Sequence, residues 1–153
     1  MKMEGDIRVR THARYARLYN ELKNFVVGDS HELFYVCACL GYRASRQQPV
    51  GKNAEERFWS RTITPFEWAT YYAMLLQESD MDFSAIQDDR NVIARVEEYA
   101  NAGMEIILEE LLHDYVTCDQ REIRLDRSLA RELPKEFLHF IYDQLNGEAQ
   151  KQA

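Results

Sequence analysis

The sequence predicts an all-α fold, a compact helical domain of about five or six helices with a short N-terminal extended segment. Apolar residues recur at three- and four-residue steps over most of the chain, and helix boundary signals stand where those runs begin and end. Only one stretch alternates as a strand does. A length of 153 residues suits one domain, and 46% hydrophobic against 29% charged residues is the usage of a chain that buries a core.

The elements follow in order. Ile7-Arg8-Val9-Arg10-Thr11 alternates apolar and basic residues, which predicts an exposed strand or arm with Arg8 and Arg10 on one side. Tyr15, Leu18, Tyr19, Leu22 and Phe25 line one face of a first helix from Ala13 to Phe25. Gly28-Asp29-Ser30 breaks it, and Ser30 is placed to cap a second helix from His31 to Leu40, with Gly41 as the residue after its end. That helix is apolar nearly all round, so it belongs in the core.

Residues 42–61 lose periodicity around Pro49 and Gly51 and collect five cations, which predicts an exposed basic loop anchored by Phe58, Trp59 and Ile63. Thr64-Pro65 with Glu67 reads as a capped helix start, opening a helix to about Gln77 with Trp68, Tyr71, Tyr72 and Leu75 on one side. An acidic turn region, Asp80 to Asp89, holds the short apolar cluster Met81, Phe83 and Ile86. A long helix from Arg90 to Leu112 follows, in which Asn101-Ala102-Gly103 marks a kink or a split. Residues 119–135 are dense in both signs of charge. Pro134 opens a last helix whose Phe137, Phe140, Ile141 and Leu145 can pack. The domain is therefore drawn as 1–146, with 147–153 as a flexible polar tail.

The net charge of −7 argues against a chain that coats nucleic acid, but it is unevenly spread. Residues 1–61 hold 11 Lys and Arg against 7 Asp and Glu, whereas residues 62–153 hold 8 against 19. A basic face and an acidic face with different partners are expected. No stretch has the roughly 20 apolar residues of a membrane span and no N-terminal apolar run resembles a signal peptide, so the expectation is cytoplasmic, with no membrane contact. Cys37, Cys39 and Cys118 are expected to be reduced, buried, structural thiols.

Catalytic patterns are incomplete, and an enzyme is not the favoured reading. Glu21-Leu22-Lys23 with Asp6 upstream has the spacing of a metal-dependent nuclease, yet it falls on an amphipathic helix, where a solvated face is the plainer reading. Arg90-Asn91 begins like the motif of small helical toxin ribonucleases, but no histidine follows at the required spacing. His12, His31, His113 and His139 form no metal-ligand pair, so neither a metal nor a cofactor is expected. Glycine-rich phosphate loops and GxSxG elbows are missing from the sequence.

Binding remains. A basic extended segment followed by two helices is the layout of ribbon-helix-helix DNA binders, in which strands pair across a dimer. That layout would place Arg8 and Arg10 against DNA and bring Arg14, Arg17, Arg43, Arg46, Lys52, Arg57 and Arg61 to phosphates. The plainer alternative is an edge strand with ordinary surface arginines.

Leu18-Tyr19-Asn20-Glu21-Leu22, then Phe34 to Arg43 ending in Cys39-Leu40-Gly41-Tyr42, and later Glu98-Tyr99-Ala100-Asn101-Ala102-Gly103 with Ile106-Ile107-Leu108, resemble the small Dnd system-associated proteins. These are encoded beside bacterial DNA phosphorothioation genes. Cys39 replaces the alanine of that family's pattern, and the resemblance spans about residues 7–112. It implies an accessory or DNA-contacting subunit of a DNA-modification or anti-phage defence system, with DNA and protein subunits as partners, a homodimer among the arrangements open to it, and no catalytic residues. The alternatives are an adaptor that docks a larger subunit through the acidic half without touching DNA and, third, a small nuclease.

Overall fold

A computed structural model describes the backbone of residues 6–119 and 122–151 and the side chains of 6–118 and 122–146. Most of it is helix, but two antiparallel two-stranded sheets correct the all-α expectation. The elements are β1 (Arg8–His12), α1 (Ala16–Leu22), α2 (Ser30–Arg43), β2 (Ala54–Trp59), α3 (Pro65–Glu78), α4 (Asp89–Ile107), β3 (Val116–Asp119), β4 (Glu122–Leu125) and α5 (Leu133–Lys151). Wide π-type turns follow α1 at Lys23–Val27 and α4 at Leu108–Leu112, and α5 packs against both.

The centre of the molecule is the crossing of α2 and α4, the most extensive contact between any two elements. Gly41 lies inside the last turn of α2, and not after the helix as its identity suggested. A Cβ on Gly41 would fall well under 3.0 Å from the Tyr99 carbonyl oxygen, and one on Gly103 would meet the Cys37 carbonyl in the same way. Two glycines thus let the backbones touch directly, as only a residue without Cβ permits. Asn101, Ala102 and Gly103, read from sequence as a kink, are all buried inside an unbroken α4. Gly103 serves the crossing, while the Asn101 side chain accepts from the His12 N–H of β1.

Around it the core gathers Leu33, Phe34, Cys37 and Ala38 from α2, Tyr71, Met74 and Leu75 from α3, and Val92, Val96, Ala100 and Met104 from α4. The start of α3 is as the sequence predicts. The Thr64 hydroxyl accepts from the Glu67 N–H, and the Glu67 carboxylate accepts from the Thr64 N–H. Ser30 is instead the first helical residue of α2, and Asp29 precedes it without a side-chain capping bond.

β1 pairs with β2, which lies in the stretch read as a basic loop. The pairing slips between Val9 and Arg10, so Arg57 has no opposite residue and forms a bulge. The bulge cancels the alternation of Ala54–Trp59 and hid the strand from a period-two reading. The other edge of β1 is also used: the Arg10 N–H donates to Glu97 Oε2 at 2.6 Å and the His12 N–H to Asn101 Oδ1 at 3.2 Å, both from α4. With one edge on β2 and the other on α4, β1 is not placed to pair across a dimer as a ribbon-helix-helix strand does.

The charge-dense 119–135 segment begins with the β3–β4 hairpin, whose Ile123 and Leu125 reach the core. Glu21, expected on a solvated face, is 6% exposed and accepts from Arg17 Nε at 3.1 Å and from the Leu125 N–H at 3.4 Å, tying the hairpin to α1. Phe25 and Leu145, assigned to packed faces, are substantially exposed. The tail drawn at 147–153 has helical backbone as far as Lys151, while residues 152–153 lie outside the described ones.

Gly41→Ala and Gly103→Ala should each cost about 3 kcal/mol or more of unfolding free energy, because backbone, not a mobile side-chain end, occupies the space. Urea denaturation of each variant measures this, and a loss under about 1 kcal/mol would show that the helices can separate without penalty.

Candidate functional site

Each of the nine cations proposed for DNA has a definite place. Arg57 is turned inward by the bulge, with its side chain 6% exposed: Nε donates to Thr11 Oγ1 at 2.7 Å, a terminal nitrogen to the His12 carbonyl at 3.0 Å, and the guanidinium lies 5.5 Å from the Tyr19 ring. It braces the ribbon from behind. Arg14 is engaged with Glu105 and with Tyr15 Oη at 2.7 Å, and Arg17 with Glu21 and Glu122. Arg46 pairs with Glu109 at 3.3 Å, and Arg43 donates to the Gln144 carbonyl at 3.3 Å.

The ribbon's outer surface holds the rest of the group. Arg8 pairs with Glu56 and lies 4.1 Å over the Trp59 ring; Arg61, 5.8 Å from the same ring, pairs with Asp6 at 3.3 Å. Arg10 and Lys52 are exposed, with no side-chain ion pair among the described residues. Six of the nine cations, Arg8, Arg14, Arg17, Arg46, Arg57 and Arg61, thus have a carboxylate within ion-pair distance, which removes much of the charge a phosphate would meet.

The acidic half looks different. Among the described residues eight large apolar side chains stand exposed, and seven of them lie in residues 62–153: Phe66, Met81, Phe83, Leu129, Leu138, Tyr142 and Leu145. Two sit on the connection between α3 and α4, where Asp80, Met81, Asp82 and Phe83 are exposed in succession. Asp80 and Met81 both hold positive φ, 56° and 66°, a conformation that costs a residue with a Cβ on the order of 1 kcal/mol. The turn is fixed by the Met81 N–H donating to the Leu76 carbonyl at 2.6 Å. It is held further by the Asp82 carboxylate, which accepts from the Ser84 N–H and hydroxyl at 3.0 and 2.7 Å. These bonds hold the Asp82 carboxyl below the usual carboxylate range. A rigid, acid-flanked apolar tip results. The sequence shows the cluster but not its exposure.

The nuclease residues do not converge. Asp6 accepts from the Ser60 hydroxyl and the Arg61 N–H, whereas Glu21 faces β4. Asp29, His31 and Glu32 bring ligand atoms within 4.8 Å of one another, but His31 Nδ1 is 3.0 Å from Glu67, and acids in the first turn of α2 are favoured by the helix dipole without an ion. Cys37 is buried, and desolvation pushes its thiol far above the usual range; Cys118 is exposed, contrary to the expected burial.

Compared with known proteins, the chain matches no family model, no curated protein and no solved structure. Its surfaces are therefore read on their own geometry. Among the described residues no helix is long and apolar enough to cross a membrane.

Glu97, which holds the free edge of β1, is pushed up to about 7 by burial, from an ordinary value near 4.5, against the opposing Arg10 N–H bond and charge. The folded chain therefore takes up a proton between these values, and this group's contribution to stability falls as pH rises through that window. Glu97→Gln should gain stability relative to the wild type from pH 5 to pH 8 in urea titrations; a difference that stays constant with pH would refute the assignment.

Proposed function

We propose that this chain is a non-catalytic adaptor that docks a larger protein subunit through its acidic half. The carrying observation is the asymmetry of the surface: among the described residues, seven of the eight exposed large apolar side chains lie in the half with the excess of carboxylates. Apolar side chains at an interface centre supply affinity, and the acids around them select a basic rim on the partner. The Met81–Phe83 tip is already ordered, so docking it costs little further conformational entropy. The resemblance to Dnd system-associated proteins supports a role for such an adaptor within a bacterial, cytoplasmic DNA-modification or anti-phage defence assembly.

One observation favours a second reading, direct DNA contact. Arg8, Trp59 and Arg61 share the ribbon's outer surface with Arg10, and Lys52 is also exposed, a cation and aromatic group suited to backbone phosphates and bases. Its carboxylate partners Glu56 and Asp6 weigh against it.

Two assays on one set of proteins separate the readings. Tagged wild-type chain should retain a defined protein from its native cells, and Met81→Ser with Phe83→Ser should lose it by roughly 30-fold or more, the scale of two interface anchors. Arg8→Ala with Arg10→Ala should retain it. Fluorescence anisotropy of a labelled duplex should show no salt-sensitive binding. Titratable binding that Arg8→Ala and Arg10→Ala abolish would transfer the function to the ribbon.

A further inference from the structure

A helix at 100° per residue needs an apolar stripe a little over 100° wide to pack on one core. α5 carries about twice that. Buried Phe140, Phe137 and Leu133, partly buried Ile141, and then Leu145, Leu138 and Tyr142 form one continuous arc of about 200°. Only the first part of the arc faces this chain's core. Leu138, Tyr142 and Leu145 are 71%, 64% and 54% exposed at spacings of four and three residues, the pattern of a second packing seam. Beside the seam lies a groove of about 450 Å³ between α2, α3 and α5, walled by Tyr35, Val36, Leu40, Met74, Ile141 and Leu145. Leu145 and Ile141 belong to both. At the far end of the groove Phe66, 71% exposed, stands against Tyr35 with ring centroids 6.1 Å apart.

We infer that α5 is the seam of a two-fold homodimer, in which the Leu138–Tyr142–Leu145 row of each copy lies along the groove of the other. A self-complementary contact requires a raised row and a receiving slot on the same face, so that each copy gives and takes once. This face has both, side by side and sharing a wall. Phe66, Leu138, Tyr142 and Leu145 leave on the order of 500 Å² of surface uncovered, and the groove walls extend it toward the roughly 800 Å² per partner of a stable interface. The dimer takes up Phe66, Leu138, Tyr142 and Leu145, four of the seven exposed apolar side chains of the acidic half, and leaves the Met81–Phe83 tip free for the larger subunit, so the dimer itself does not depend on the adaptor reading.

Sedimentation and light scattering from 1 to 100 µM test it. The full chain should weigh twice its 18.1 kDa at the upper end and dissociate on dilution. Leu138→Glu with Tyr142→Glu should be monomeric throughout, with unchanged circular dichroism and melting temperature. Tyr142→Ser, a milder change at an exposed position, should weaken the dimer at least tenfold, and Val36→Trp, which fills the groove, should do the same from the other side of the contact. Met81→Ser with Phe83→Ser should remain dimeric, so failure of the adaptor reading leaves this result standing. A wild-type chain that stays monomeric at 100 µM, or a dimer that persists in both the stripe and groove variants, overturns the inference.

Discussion

The fold depends on the direct contact of two backbones. Gly41 in α2 and Gly103 in α4 each stand where a Cβ would collide with the other helix's carbonyl. Because the helices close to this distance, Cys37, Ala38 and Ala100 are shut into the core, and Tyr42 meets Tyr99 edge-on at 5.4 Å. The position of α4 then fixes β1, since Glu97 and Asn101 supply acceptors for the strand's outer N–H groups. The bulge turns Arg57 in, and Arg57 joins Thr11, His12 and the Tyr19 ring. A wider helix crossing would move every one of these acceptors.

Helices with a single apolar face were legible in the sequence. The 3.6-residue pattern and the Thr64-Pro65-Glu67 start located α3, and the same periodicity located α4 and the opening of α5. Glycine was misread because its two uses look alike in a sequence: Gly41 and Gly103 resemble helix ends or kinks but serve close packing. β2 was hidden by its bulge, and the β3–β4 hairpin by charged residues whose side chains face out while Ile123 and Leu125 face in.

The candidate surfaces were legible only by half. The sequence shows where cations and anions lie along the chain, not which neutralise each other. Arg14 with Glu105, Arg46 with Glu109 and Arg8 with Glu56 are all pairs across long sequence separations. The basic half is therefore less basic as a surface than as a composition. Carboxylates of the acidic half, such as Asp80 and Asp82, remain exposed around apolar side chains that no element of the chain covers. Leu138, Tyr142 and Leu145 were detectable in principle as an apolar arc too wide for one core, but periodicity alone does not tell which part of such an arc is buried.

These features divide the molecule into an internally satisfied ribbon and an acidic, apolar-studded half, and the central claim is that the second half does the binding. Hydrogen–deuterium exchange of the full chain, alone and within its native assembly, tests this most directly. Protection gained at residues 78–89, with residues 8–12 and 54–61 unchanged, is the predicted result. Protection gained at 8–12 and 54–61, with 78–89 still exchanging freely, would contradict the account and return the function to the arginines of the ribbon.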